Sequence, residues 1–69
     1  MNLIEIGEGI RKRREILKLK QEDLADIAGV AIKTLYAIES GKANPSIKTL
    51  MKLLSVLGME MITQVKKSP

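Results

Sequence analysis

Ile32, Lys33, Tyr36 and Ala37 are spaced so that a helix would gather them on one side. At about 100° per residue they share a face, while Leu35, Ile38 and Glu39 turn the other way. For a solvated surface the outward set is oddly mixed: an isoleucine, a lysine and the only aromatic residue of the chain. Each has a use against a base edge. A lysine can donate to guanine O6 and N7, an isoleucine or alanine can touch a thymine methyl, and a tyrosine hydroxyl can donate to a base or a phosphate. Catalytic chemistry, by contrast, lacks its usual carriers. The chain has no histidine, no cysteine, no clustered carboxylates and no glycine-rich phosphate loop. An enzyme, a metal site and a cofactor are therefore not expected.

Those outward residues need a helix docked by one side, and residues 21–41, QEDLADIAGVAIKTLYAIESG, supply one. Leu24, Ala25, Ile27 and Ala28 give a short helix a buried face. Gly29 follows, free to take the left-handed conformation that ends a helix and turns the chain. Val30 plugs the gap, and a second helix runs from about Ala31 to Ser40 before Gly41 stops it. Two short helices this close make a helix-turn-helix, whose second helix presents its outer residues to the major groove.

The stretch resembles the Xre/Cro-like helix-turn-helix of phage repressors and small bacterial regulators. The matching positions are Gln21, Leu24, Ala25, Gly29, Val30, Thr34, Leu35, Ile38, Glu39, Gly41, Lys42, Asn44 and Pro45, with Arg14 upstream. The likeness covers about Ile6 to Leu57. It implies a lambda-repressor-like, all-α bundle of four helices that acts on double-stranded operator DNA. It also implies that Arg14 pairs with Glu39, a bidentate contact that would tie the first helix to the third. Gln21 would set its amide against a phosphate or beside the recognition helix. Lys20 stands where the family has a hydroxyl cap, a loss of about 1 kcal/mol for the second helix. Glu22 and Asp23 in its first turn partly offset that loss through the helix dipole. Ala31 likewise replaces the hydroxyl cap of the third helix.

The remaining segments frame that motif. Sixty-nine residues allow one domain with a core small enough to favour oligomerisation. Twelve basic against eight acidic residues give a net charge of +4, suited to a polyanionic partner. Residues 1–5 read as an N-terminal arm, and 6–58 as the DNA-binding domain, with a first helix from about Ile6 to Leu17. Within it, Arg11–Arg14 point in different directions, so apart from Arg14 they read as solvated surface. After Gly41, Lys42, Asn44 and the start of a helix capped by Ser46 form a phosphate clamp, with Thr34 also near the DNA backbone. The last helix carries Ile47, Leu50, Met51, Leu54 and Leu57 on one stripe, widened by Leu53 and Val56. No stretch suits a membrane span or a signal segment, so a cytoplasmic location is expected, and no sensor domain for a small-molecule ligand is evident.

Residues 59–66, MEMITQVK, alternate in hydrophobicity like a strand, with a short helix as the rival reading. A lone strand needs a partner, and a second copy of the chain provides one. This predicts a homodimer in which Leu53, Val56, Met59, Met61 and Val65 form the interface, with residues 67–69 as a tail. Such a tail resembles the HipB-like antitoxins encoded beside HipA-like kinase toxins. Two functions follow. The first is a sequence-specific regulator, a repressor on a palindromic operator. The alternative is an antitoxin whose main partner is a toxin protein, with DNA binding as autoregulation.

Overall fold

The computed structural model describes residues 2–63, and in it four helices follow one another: α1 Leu3–Ile16, α2 Gln21–Ala28, α3 Ile32–Glu39 and α4 Ile47–Leu57. α1 packs against α3 and α4, and α2 packs against the same two. Their shared centre is Ile10, Leu24, Leu35, Ile38, Leu53 and Leu57, so every helix contributes at least one fully buried side chain. Each such burial contributes about 1.5–3 kcal/mol. The all-α bundle expected from the sequence is present, with α2 and α3 as its helix-turn-helix.

α1 begins at Leu3 and not at Ile6, so residues 3–5 belong to the helix and not to an arm. Asn2 explains the difference. It lies in extended backbone as N-cap, and its Oδ1 accepts the Glu5 N–H at 2.9 Å. That bond satisfies one of the orphan amides at a helix start. At the other end the chain leaves α1 through Lys18, a side-chain-bearing residue at φ +58°. The left-handed turn costs roughly 1–2 kcal/mol where a Cβ is present. The N–H groups of Lys18 and Leu19 meet the carbonyls of Glu15 and Arg14 at 3.0 and 3.1 Å, which holds the turn.

The turn between α2 and α3 is built as its residues require. Gly29 adopts φ +70°, the Val30 N–H reaches back to the Ala25 carbonyl at 2.9 Å, and Val30 packs on the core. Neither Lys20 nor Ala31 caps its helix through a side-chain bond to the first turn. Asp23 nevertheless accepts the Lys20 N–H at 3.0 Å, a direct bond beyond the dipole effect expected of it. Ser46 caps α4 as anticipated, accepting the Thr49 N–H at 3.1 Å.

α4 corrects the stripe drawn from its sequence. Leu50, Leu53, Leu54 and Leu57 are the buried face, while Ile47 and Met51 are 66% and 60% exposed. Two apolar stripes at helical spacing overlap here, 50–53–54–57 and 47–51–54, and the bundle can bury only the first. Leu53 is wholly inside its own core and is unavailable to a second copy, contrary to the interface expected of it. Val56 is half-buried against that same core.

The expected C-terminal strand is also corrected. Among the described residues there is no strand: 59–63 run on without helix or ladder after Gly58 turns at φ +67°. A strand exists only through a hydrogen-bonded partner, and the described part of the chain offers none. Val65, and the rest of 64–69, lie outside the described residues. None of the described helices is long and apolar enough to cross a membrane.

Candidate nucleic-acid interface

α3 is held from behind by a buried polar cluster. Arg14 donates from Nε to Glu39 Oε2 at 2.7 Å and from Nη2 to Oε1 at 3.0 Å, the two-pronged pairing expected. Its third donor, Nη1, bonds the Leu19 carbonyl at 2.8 Å. Gln21 Nε2 adds a bond to Glu39 Oε1 at 3.0 Å. The two charged side chains retain only 11% and 4% of their exposure, and no buried polar side-chain atom among the described residues lacks a partner. The bond to Glu39 pushes the Arg14 guanidinium further above its ordinary value, against the opposing effect of burial, so its charge is permanent. One cluster therefore joins α1, the α1–α2 turn, the start of α2 and the end of α3.

Gly7 adds a steric contact to the same joint. It is buried where α1 crosses the carbonyls of Ile38 and Glu39, too close for any side chain. By residue type alone Gly7 is only a weak helix former. Here it is the point of closest approach between the supporting helix and the recognition helix.

The opposite face of α3 is open. Lys33 is exposed, Tyr36 is 50% exposed, and Ala37 is partly covered. These three share the outward side with Ser40, which the sequence reading did not single out. Ile32 differs from them: it is half-buried and packs against the core from the first turn of α3, so it lies at the edge of the face. Thr34 is partly covered. After the helix, Ala37 O accepts the N–H groups of Lys42 and Ala43 at 2.9 and 3.2 Å and the Ser40 hydroxyl at 3.1 Å. This folds the loop back against α3 and leaves the Lys42 and Asn44 side chains exposed.

Two expected backbone contacts have other duties. Gln21 has an amide N–H engaged by Glu39, so of its two anticipated positions the one beside the recognition helix is occupied. Ser46 accepts the cap bond and donates to Thr49 Oγ1 at 3.0 Å, so contact with a phosphate would have to displace that donor bond. A neighbourhood that sequence alone did not assemble lies between the helices: Lys20, Gln21, Glu22 and Tyr36 line an open notch of about 240 Å³. Lys20 was legible only as a poor cap; its place beside Tyr36 depends on how α2 crosses α3.

A second surface lies away from α3. Ile47, Met51, Leu54 and Ser55 of α4, with Met59, Glu60 and Met61 beyond it, line an open groove of about 390 Å³. Met59 and Met61 line this groove together with Ile47 and Met51, and Leu53 is not part of it.

Residues 10–62 match the family profile described as helix-turn-helix. An HTH-type transcriptional regulator of Methanothermobacter thermautotrophicus is 38% identical over 56 residues, 81% of this chain and 81% of that protein. Another, from Methanocaldococcus jannaschii, is 43% identical over 47 residues, 68% of this chain and 71% of the relative. Among solved structures, the restriction-modification controller protein C.AhdI from Aeromonas hydrophila is similar with a TM-score of 0.80 and 31% identity. That match covers 84% of this chain and 88% of the other. Some relatives are much longer: the chain spans only 17% of an HTH-type transcriptional regulatory protein of Methanococcus maripaludis, at 36% identity over 56 residues.

Proposed function

The chain belongs to the helix-turn-helix family of DNA-binding transcriptional regulators, and on that premise we propose that it acts as a homodimer on a near-palindromic operator. The observation that carries the reading is the contrast between the two sides of α3. One side is immobilised by Arg14, Glu39, Gln21 and the close approach at Gly7, and the other leaves Lys33, Tyr36 and Ala37 uncovered. A rigid helix with a mixed outer face is what base readout in the major groove requires. Lys33 and Tyr36 carry the polar readout and Ala37 an apolar contact, with Ile32 reaching the DNA only at the margin. Lys42, Asn44 and Thr34 hold the phosphates. The relatives named above are described as regulators and a controller, so regulation is preferred to an antitoxin role.

Dimerisation follows from the size of the site. One short recognition helix makes few contacts, and two held about one helical turn apart (roughly 34 Å) double them. The groove along Ile47, Met51, Met59 and Met61 is the face for the second copy. It is the apolar surface that α4 cannot bury in its own bundle, and this small domain has few other means of adding to its core. Met51→Glu should therefore give a folded monomer by sedimentation, with greatly weakened operator binding. A Met51→Glu protein that still sediments as a tight dimer would place the interface elsewhere.

Base readout has its own test. Sites selected from random duplexes by the wild-type protein should bind about 10³–10⁵-fold more weakly between 50 and 200 mM salt if 6–10 phosphates are contacted. Lys33→Ala should relax preference at one base pair, whereas Lys42→Ala should weaken all sites alike. If Lys33→Ala lowered every affinity equally, Lys33 would be a phosphate contact and the assignment of readout to it would be wrong.

A further inference from the structure

Two neighbouring arginines of α1 reach the ends of two different helices. Arg14 grips Glu39 at the end of α3, and Arg13 donates from Nε to the Leu57 carbonyl at the end of α4, 2.9 Å away and partly buried. Adjacent helix positions point about 100° apart, which lets one helix hold both neighbours. α4 has no basic residue in its own last turn. Arg13 thus brings from α1 the cation and the donor that a helix C-terminus favours. Its guanidinium also borders Gly58, where a Cβ would lie 3.7 Å from Nη2. Gly58 is the turn from which Met59 and Met61 set out to line the groove beside Ile47 and Met51.

We propose that Arg13 is a positioning residue that fixes the distance between the two recognition helices of the dimer. It pins the end of α4, and with it the path of Met59 and Met61, to the helix whose next residue pins α3. Arg13 lines neither the groove nor the notch beside Tyr36, so it sets geometry without supplying a contact. The proposal rests on the dimer reading above.

The test uses duplexes built from the half-site that the full wild-type chain selects, joined in inverted pairs with spacers one and two base pairs shorter or longer than the optimum. Wild-type protein should bind one spacing best. Arg13→Met, which keeps the side-chain stem and loses the donor, should flatten that preference and bind the optimal duplex about tenfold more weakly, a size typical of residues that couple two sites. Binding to a single half-site should fall by no more than it does in Lys12→Ala. Arg13→Gln places an amide N–H at about the reach of the arginine Nε and should restore the sharp optimum without the charge. Lys12→Ala, an exposed neighbour, removes the same charge and should weaken all spacings alike without flattening them. An Arg13→Met protein that keeps the wild-type spacing profile, whatever its melting temperature, would overturn the proposal. So would flattening that Arg13→Gln fails to reverse. A wild-type protein with no preference among spacings would instead bring down the dimer reading itself.

Discussion

Gly7→Ala should destabilise the protein by about 3 kcal/mol, although the same change in an open helix would stabilise it. The added Cβ would run into the Ile38 carbonyl oxygen and stand 3.1 Å from that of Glu39. Both atoms are backbone, so relief requires α1 or α3 to move. Gly9 provides the matched control. It lies two positions along the same helix, and a Cβ there would meet nothing within 4 Å. Gly9→Ala should therefore raise stability by about 0.5–1 kcal/mol through helix propensity alone. Urea midpoints of the two variants should shift in opposite directions. Because the clash falls on the last turn of α3, Gly7→Ala should also weaken operator binding where enough protein remains folded. Equal upward shifts for both variants would mean that α1 and α3 are not in close approach.

This pair also marks where sequence reasoning reaches its limit. Periodicity found the helix-turn-helix because Leu24, Ala25, Leu35 and Ile38 have only one arrangement that buries them, and Gly29 leaves no other place to turn. A glycine's type, however, does not say whether it is needed for a turn, for close approach or for nothing. Gly7 and Gly9 are indistinguishable until α3 is laid across one of them. The same blindness produced the error in α4. Its residues fit two overlapping apolar stripes, and which one faces inward depends on where α1 and α2 lie, so Leu53 was assigned to an interface while Ile47 and Met51 were assigned to the core. Arg13 was missed for a related reason. A cation that caps a helix belonging to another part of the chain leaves no local pattern, since its partner is a carbonyl 44 residues away.

The outward face of α3 is more legible, because a helix face follows from spacing alone. Lys33, Tyr36 and Ala37 appear together as the period required. Ile32 was placed with them by angle, but its position in the first turn lets it fold back onto the core. The boundary of a helix face is set by its neighbours. The start of α1 differs in another way: Asn2 and Glu5 have the residue types of a capped helix start, but a cap is settled by the bond it makes, here Asn2 Oδ1 accepting the Glu5 N–H.

Breaking the Arg14–Glu39 pair should cost as much as truncating a fully buried core side chain. A domain of this length is stable by only about 0.05–0.15 kcal/mol per residue, or roughly 3–10 kcal/mol. Removing one partner of a buried pair costs about 3–5 kcal/mol, because the other charge is left in a site built for two. Arg14→Ala leaves Glu39 almost wholly enclosed, with Gln21 as its remaining side-chain donor. Glu39→Ala leaves Arg14 the Leu19 carbonyl and slightly more access to water, so its loss should be the smaller. The double alanine variant should lose less than the sum of the two, measured by urea melts in a stabilising salt such as sulfate so that the single variants have a folded baseline. An apolar replacement, Arg14→Met with Glu39→Leu, separates the two roles of the pair. It should recover most of the stability, because well-packed hydrophobic side chains replace buried ion pairs at little cost or with a gain. It should still bind operator more weakly, because nothing then fixes the angle of α3 with the directionality of a two-pronged hydrogen bond. Strictly additive single variants would mean the pair is not formed in solution. Full operator affinity in the apolar double variant would mean that packing alone, through Gly7 and Ile38, aims the recognition helix.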